Sequence, residues 1–75
     1  MVTANDIRIL IQENVMGVDA MSLDENQNFK EVGIDSLDHI NVLLALEEKY
    51  GCKIPDEDVK LCKSISATLA YIARQ

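Results

Sequence analysis

Asp35, Ser36 and His39 bring an acid, a nucleophile and a base close together in the chain, the residue types that hydrolases combine. Their spacing does not make them a relay. Residues at i and i+3 of one helix could touch, but so short a chain offers no deep water-excluding cleft or oxyanion hole, so no catalytic residue is assigned and no enzymatic activity is expected. His39 is then read as a solvent-facing helix residue. Asp24-x-Asn26-x-Asn28 supplies oxygen ligands at the first, third and fifth positions of a calcium loop, with Asp35 at the twelfth. The sixth position, where such a loop needs glycine for its sharp turn, holds Phe29. No dedicated metal site is expected, only diffuse association of divalent ions with an acidic surface. Cys52 and Cys62 lack C-x-x-C spacing and are too few for a disulfide framework. They read as free thiols in a reducing compartment, the cytoplasm or an organelle.

Seventy-five residues, of which 48% are apolar and only Phe29, Tyr50 and Tyr71 aromatic, suit one small domain with an aliphatic core. Thirteen acidic against seven basic residues leave a net charge of −6, which repels phosphate backbones and anionic lipid and attracts basic protein surfaces. Nucleic acid is not an expected partner. The stretch Ser64 to Ala73 carries no charge but is shorter than the 18 or so residues of a membrane span, and Asp6 interrupts any apolar signal region.

The periodicity predicts an all-α fold, a small four-helix bundle of three longer helices and one short one with a long first loop. Thr3 with Asp6 resembles a capping box, and Ile7, Leu10, Ile11 and Val15 follow at helical spacing until Gly17, giving a helix near 3–16. From Val18 to Asp35 the period is lost, which predicts a long loop pinned by Met21, Leu23, Phe29, Val32 and Ile34. Asp35 and Ser36 open a second helix over 36–50, with Asp38 in its first turn, Lys49 in its last and Gly51 beyond. Pro55 and Asp56 start a short helix over 56–61, and Ser64 caps a last one over 65–74. No heptad seam is present, so a monomer is expected.

Winding residues 37–50 on a helix puts Val42, Leu43, Leu46 and Tyr50 on one arc of about 100°, enough to seat it on a bundle. Leu37, Ile40 and Leu44 form a second apolar stripe bordered by Asp38, Asn41, Glu47 and Glu48. A central helix could bury both stripes, but the acidic border marks the second as a docking face for partners. Asp-Ser ahead of a helix is ordinarily no more than a cap, because a serine oxygen accepts a free backbone N–H.

The context of Asp35-Ser36-Leu37 gives it another meaning. The chain resembles the acyl carrier protein family in F-x-x-V-G-x-D-S-L-D (Phe29 to Asp38), A-L-E-E-K-Y-G (Ala45 to Gly51), I-P-D-E (Ile54 to Glu57) and L-A-Y-I (Leu69 to Ile72). The resemblance covers essentially the whole sequence, as one acyl-carrier domain over 1–75. It implies that Ser36, flanked by Asp35 and Leu37, bears a 4′-phosphopantetheine arm transferred from coenzyme A by a magnesium-dependent phosphopantetheinyl transferase. Acyl groups would ride the arm as thioesters to the acyl-transferring and acyl-modifying enzymes of fatty-acid, lipid or polyketide biosynthesis, which would carry basic docking patches. It also implies a shelter for the acyl chain lined by Leu46, Ile54, Val59 and Cys62, the last where the family commonly has a larger aliphatic side chain.

A phosphodiester at a helix start meets free N–H groups and the positive end of the dipole, whereas Asp35 and Asp38 oppose it by on the order of 1 kcal/mol each. Those carboxylates are therefore read as handles for lysine and arginine on partner enzymes. The motif departs from the fatty-acid type: Phe29 precedes Gly33 by one residue fewer, Asn41 stands where an acid is usual, and His39 and Lys49 make the helix less negative. The resemblance thus points to a specialised or polyketide carrier with its own partners. The alternatives are a peptidyl or D-alanyl carrier, and a helical adaptor or ion-binding module with no arm.

Overall fold

Thr3 caps the first helix: its hydroxyl accepts the Asp6 N–H at 3.2 Å while the Asp6 carboxylate accepts the Thr3 N–H at 2.9 Å. In the computed structural model, which describes residues 2–75, α1 spans Ala4–Asn14, shorter at both ends than the expected 3–16. Thr3 lies outside as the cap. At the other end Val15 buries its side chain by turning extended (φ −124°, ψ 126°), and the Asn14 amide donates back to the Leu10 carbonyl at 2.7 Å. Gly17, with φ 80°, shapes a turn beyond the helix and does not end it.

Helix α2 spans Ser36–Tyr50, as expected, and α3 spans Ile65–Ala73, one residue short of the predicted end. The short helix is Asp56–Leu61, of 3₁₀ type. The fold is the expected all-α bundle, with no strand among the described residues. Gly51 closes α2 in the left-handed region (φ 73°) and donates to the Glu47 carbonyl at 2.9 Å. Ser64 caps α3, accepting the Ala67 N–H at 3.1 Å.

The segment between α1 and α2 corrects the expectation of a plain loop, since it contains two 3₁₀ turns, Ala20–Ser22 and Phe29–Val32. Short polar side chains build them. Ser22 donates to Asp19, Asn28 accepts the Lys30 N–H, and the Glu31 carboxylate accepts the Asn28 N–H. The segment is then fastened to its neighbours: Arg8 donates to the Leu23 carbonyl at 3.0 Å, Phe29 N–H to Lys63 at 2.8 Å and Ser66 N–H to Glu25 at 2.8 Å. Of the five residues expected to pin it, Leu23, Phe29 and Ile34 are buried and Val32 is half-buried. Met21 is not a pin. It is exposed because Ala20 takes the inward position of that turn.

The core joins Ile7, Leu10 and Ile11 of α1, Val42, Leu43 and Leu46 of α2, Ile65 of α3, and Phe29, Ile34, Ile54 and Cys62 from the connections. Tyr50, assigned to the same arc, is half-buried at its edge. Thr68 enters this apolar interior because its hydroxyl donates to the Ser64 carbonyl at 2.7 Å. The Tyr71 hydroxyl donates to Asp58 at 2.6 Å and ties Asp56–Leu61 to α3; that bond, together with desolvation and the Asp58 charge, pushes the phenol up to about 12.

Candidate functional site

Ile34 fixes the approach to α2. Its side chain is buried, its N–H donates to the Phe29 carbonyl at 3.1 Å, and the preceding Gly33 turns the chain in the left-handed region at φ 90°. Asp35 follows as the N-cap: extended backbone, with Oδ1 accepting the Asp38 N–H at 2.8 Å. The capping role that a serine here would ordinarily fill thus belongs to Asp35. Ser36 is the first helical residue, exposed, on a turn held at Ile34 and at the cap. Leu37 is 68% exposed beside it.

His39 is placed differently from the expectation. It is half-buried, its Nε2 lies 2.7 Å from the Cys62 carbonyl, and its ring meets Phe29 edge-on at 5.2 Å and 69°. A carbonyl only accepts, so Nε2 carries the proton and donates. The ring therefore joins the start of α2 to the segment entering α3, and it is absent from the outward face where the sequence put it. A signal for this existed: at 100° per residue His39 falls about midway along the arc of Val42, Leu46, Tyr50 and Leu43.

Burial disfavours the imidazolium and lowers the His39 pKa from 6.5, with the Cys62 carbonyl partly opposing the shift. Because the unfolded imidazole takes its proton first, the native state loses stability as pH falls below about 6.5 and holds all of this contribution above it. Urea unfolding across that window should show the midpoint falling with acid. In His39→Gln, which can still donate to Cys62, that part of the slope should vanish; an equal slope in both proteins would contradict the assignment. Asp6, lowered from 3.8 chiefly by its bonds to Thr3, contributes only at more acid pH.

The second stripe faces outward: Leu37, Ile40 and Leu44 are all exposed, as are Asn41 and Glu48, with Asp38 and Glu47 half-buried. Glu47 also has a local task, since its carboxylate accepts the Ile54 N–H at 3.3 Å. Beside Ser36 opens a cleft of about 540 Å³, lined by Asp35, Ser36, His39 and Ile40 of the α2 start, by Asn28, Phe29, Lys30 and Ile34, and by Asp56, Val59, Lys60 and Lys63 opposite. Of the four residues expected to shelter an acyl chain, only Val59 lines it. Leu46, Ile54 and Cys62 lie in the buried core. Lys30, Lys60 and Lys63 converge on this cleft, and their separation along the chain hides that convergence from the sequence. In the former calcium-loop candidate, Asp24 accepts the Asn26 N–H, Asn28 accepts the Lys30 N–H, and Phe29 is core. Among the described residues no three His, Cys, Asp or Glu side chains form a group able to hold a metal ion, and no helix is long and apolar enough to cross a membrane.

The exposed first residue of α2 thus offers a reachable hydroxyl on a held turn, with open space beside it. The family described as "Phosphopantetheine attachment site" matches residues 6–72. The acyl carrier protein of Helicobacter pylori (strain ATCC 700392 / 26695) is 38% identical over 68 residues, covering 89% of this chain and 86% of that protein, and its counterpart in strain G27 matches equally. The mitochondrial acyl carrier protein of Dictyostelium discoideum is 44% identical over 46 residues, 61% of this chain but only 38% of that protein. The chain belongs to the acyl carrier protein family. It is a carrier and not a catalyst, and its prosthetic group is a covalently attached 4′-phosphopantetheine.

Proposed function

We propose that Ser36 Oγ is the attachment atom, and that the protein carries acyl thioesters at the end of the arm to biosynthetic enzymes in the cytoplasm or an organelle. The observation behind this is the division of labour at the α2 start: Asp35 caps the helix and leaves the Ser36 hydroxyl exposed. During loading, Ser36 gives up its hydroxyl proton and gains an O–P bond as a P–O bond within the diphosphate of coenzyme A breaks, releasing adenosine 3′,5′-bisphosphate. An external transferase supplies the base and the magnesium. The terminal thiol of the group, once bound, forms the thioesters.

The residues of the chain supply recognition. Asp35 and Asp38 present charge at the attachment point, and Leu37, Ile40 and Leu44 with Asn41, Glu47 and Glu48 offer an apolar strip with a polar border for partner enzymes. Asn41 and Lys49 keep this helix less acidic, which supports partners of a specialised pathway. Val59 and Ile40 in the cleft offer an acyl chain its first apolar contact, with Leu46, Ile54 and Cys62 behind them if the helices part. Incubation with coenzyme A and a promiscuous transferase, followed by intact mass measurement, tests the attachment. One phosphopantetheine increment should appear on the native chain and be absent from Ser36→Ala. An increment that persists in the variant would place the arm elsewhere.

A further inference from the structure

Lys30, Lys60 and Lys63 are three of only five lysines in a chain of net charge −6, yet all three line the cleft that holds Ser36. Asp35 and Asp56 share that lining, which leaves it a net charge of +1 on an acidic molecule. The Asp35 carboxylate is already engaged by the Asp38 N–H. The backbone at each lysine is held. Lys63 accepts the Phe29 N–H at 2.8 Å, and Lys30 donates its N–H to Asn28 at 2.9 Å. Lys60 belongs to the Asp56–Leu61 turn, which the Tyr71 bond to Asp58 ties to α3. The three side chains thus spring from fixed points around a space of about 540 Å³ with Ser36 on its edge.

We infer that these three lysines form an anion-binding groove that holds the phosphodiester at the root of the arm, laying the arm along Ile40 and Val59 in place of leaving it free in solvent. This rests on attachment at Ser36. A phosphate tethered to a residue of the lining is present in the groove at high effective concentration, so individually weak contacts with exposed ammonium groups act together. The lysines also offset the repulsion from Asp35 and Asp38 that the phosphodiester meets at the helix start.

The test uses ¹⁵N-labelled chain with and without the arm, its thiol free so that no cargo takes part. Loading should shift the amide resonances of Lys30, Val59, Lys60 and Lys63. Those shifts should collapse at 1 M salt, where the Debye length is about 3 Å, and should be lost in the K30Q/K60Q/K63Q variant. The variant changes only exposed side chains; its circular dichroism checks the fold, and Lys60→Gln alone serves if the triple variant is unstable, with a partial loss expected. Shifts confined to residues 35–39, or the same shifts in the lysine variants, would overturn the groove while leaving the attachment intact. Failure of the mass increment on Ser36 would overturn the attachment reading and the groove with it.

Discussion

Phe29→Ala should lower the free energy of unfolding by about 3–5 kcal/mol, the usual range for removing a buried phenylalanine. A chain of this length has on the order of 4–11 kcal/mol in total, so the variant loses a large share of its stability. Phe29 is 3% exposed and sits where three parts of the chain meet. Its N–H reaches Lys63 ahead of α3, its carbonyl accepts the Ile34 N–H ahead of α2, and its ring packs on His39. Truncation leaves a cavity at that junction and frees the turn that presents Ser36. Urea unfolding should show the loss as a lower midpoint at nearly constant slope. Arm loading by the transferase should fall in the same variant, and near-native stability would show that Phe29 does not anchor the segment. Met16→Ala is the matching control, since Met16 is 96% exposed and its removal should cost almost nothing.

How well each region could be read from the sequence follows from where its stabilisation originates. Helix α2 is legible because independent signals agree on it: Asp-Ser ahead of an unbroken run, Asp38 in its first turn, Lys49 in its last and a glycine at position 51. The two 3₁₀ turns between α1 and α2 are not, because they rest on local side-chain bonds from Ser22, Asn28 and Glu31 that carry no hydrophobic period. The end of α1 was misplaced by giving Gly17 the stop, when burial of Val15 ends the helix first. At the proposed site, the Ser36 assignment draws on a motif that is contiguous in the chain, local to the α2 start. The basic lining could not, because Lys30 meets Lys60 and Lys63 only after the first loop is stapled to the segment before α3. His39 shows a third case, in which the helical arc gave the right direction and the residue type argued against following it.

Asp35 carries two functions that substitution can separate. As the N-cap it satisfies the Asp38 N–H, and as a carboxylate it presents charge beside Ser36. Asparagine caps nearly as well as aspartate, so Asp35→Asn should leave the melting temperature almost unchanged, whereas Asp35→Ala should cost about 1 kcal/mol. Loading responds to the other property. Neutralising Asp35 and Asp38 together to Asn should slow association with a basic transferase by roughly tenfold at low salt, since electrostatic steering is worth about 10–1000-fold in rate. The difference should close as salt screens the charges. If Asp35→Asn and Asp35→Ala load equally slowly, with the same salt dependence, the defect lies in the lost charge, because only one of them has lost the cap. If only Asp35→Ala is slow, the transferase reads the geometry of the α2 start and the handle role of the carboxylate is wrong. The comparison works because the residue that frees Ser36 from capping also sets the electrostatics around it.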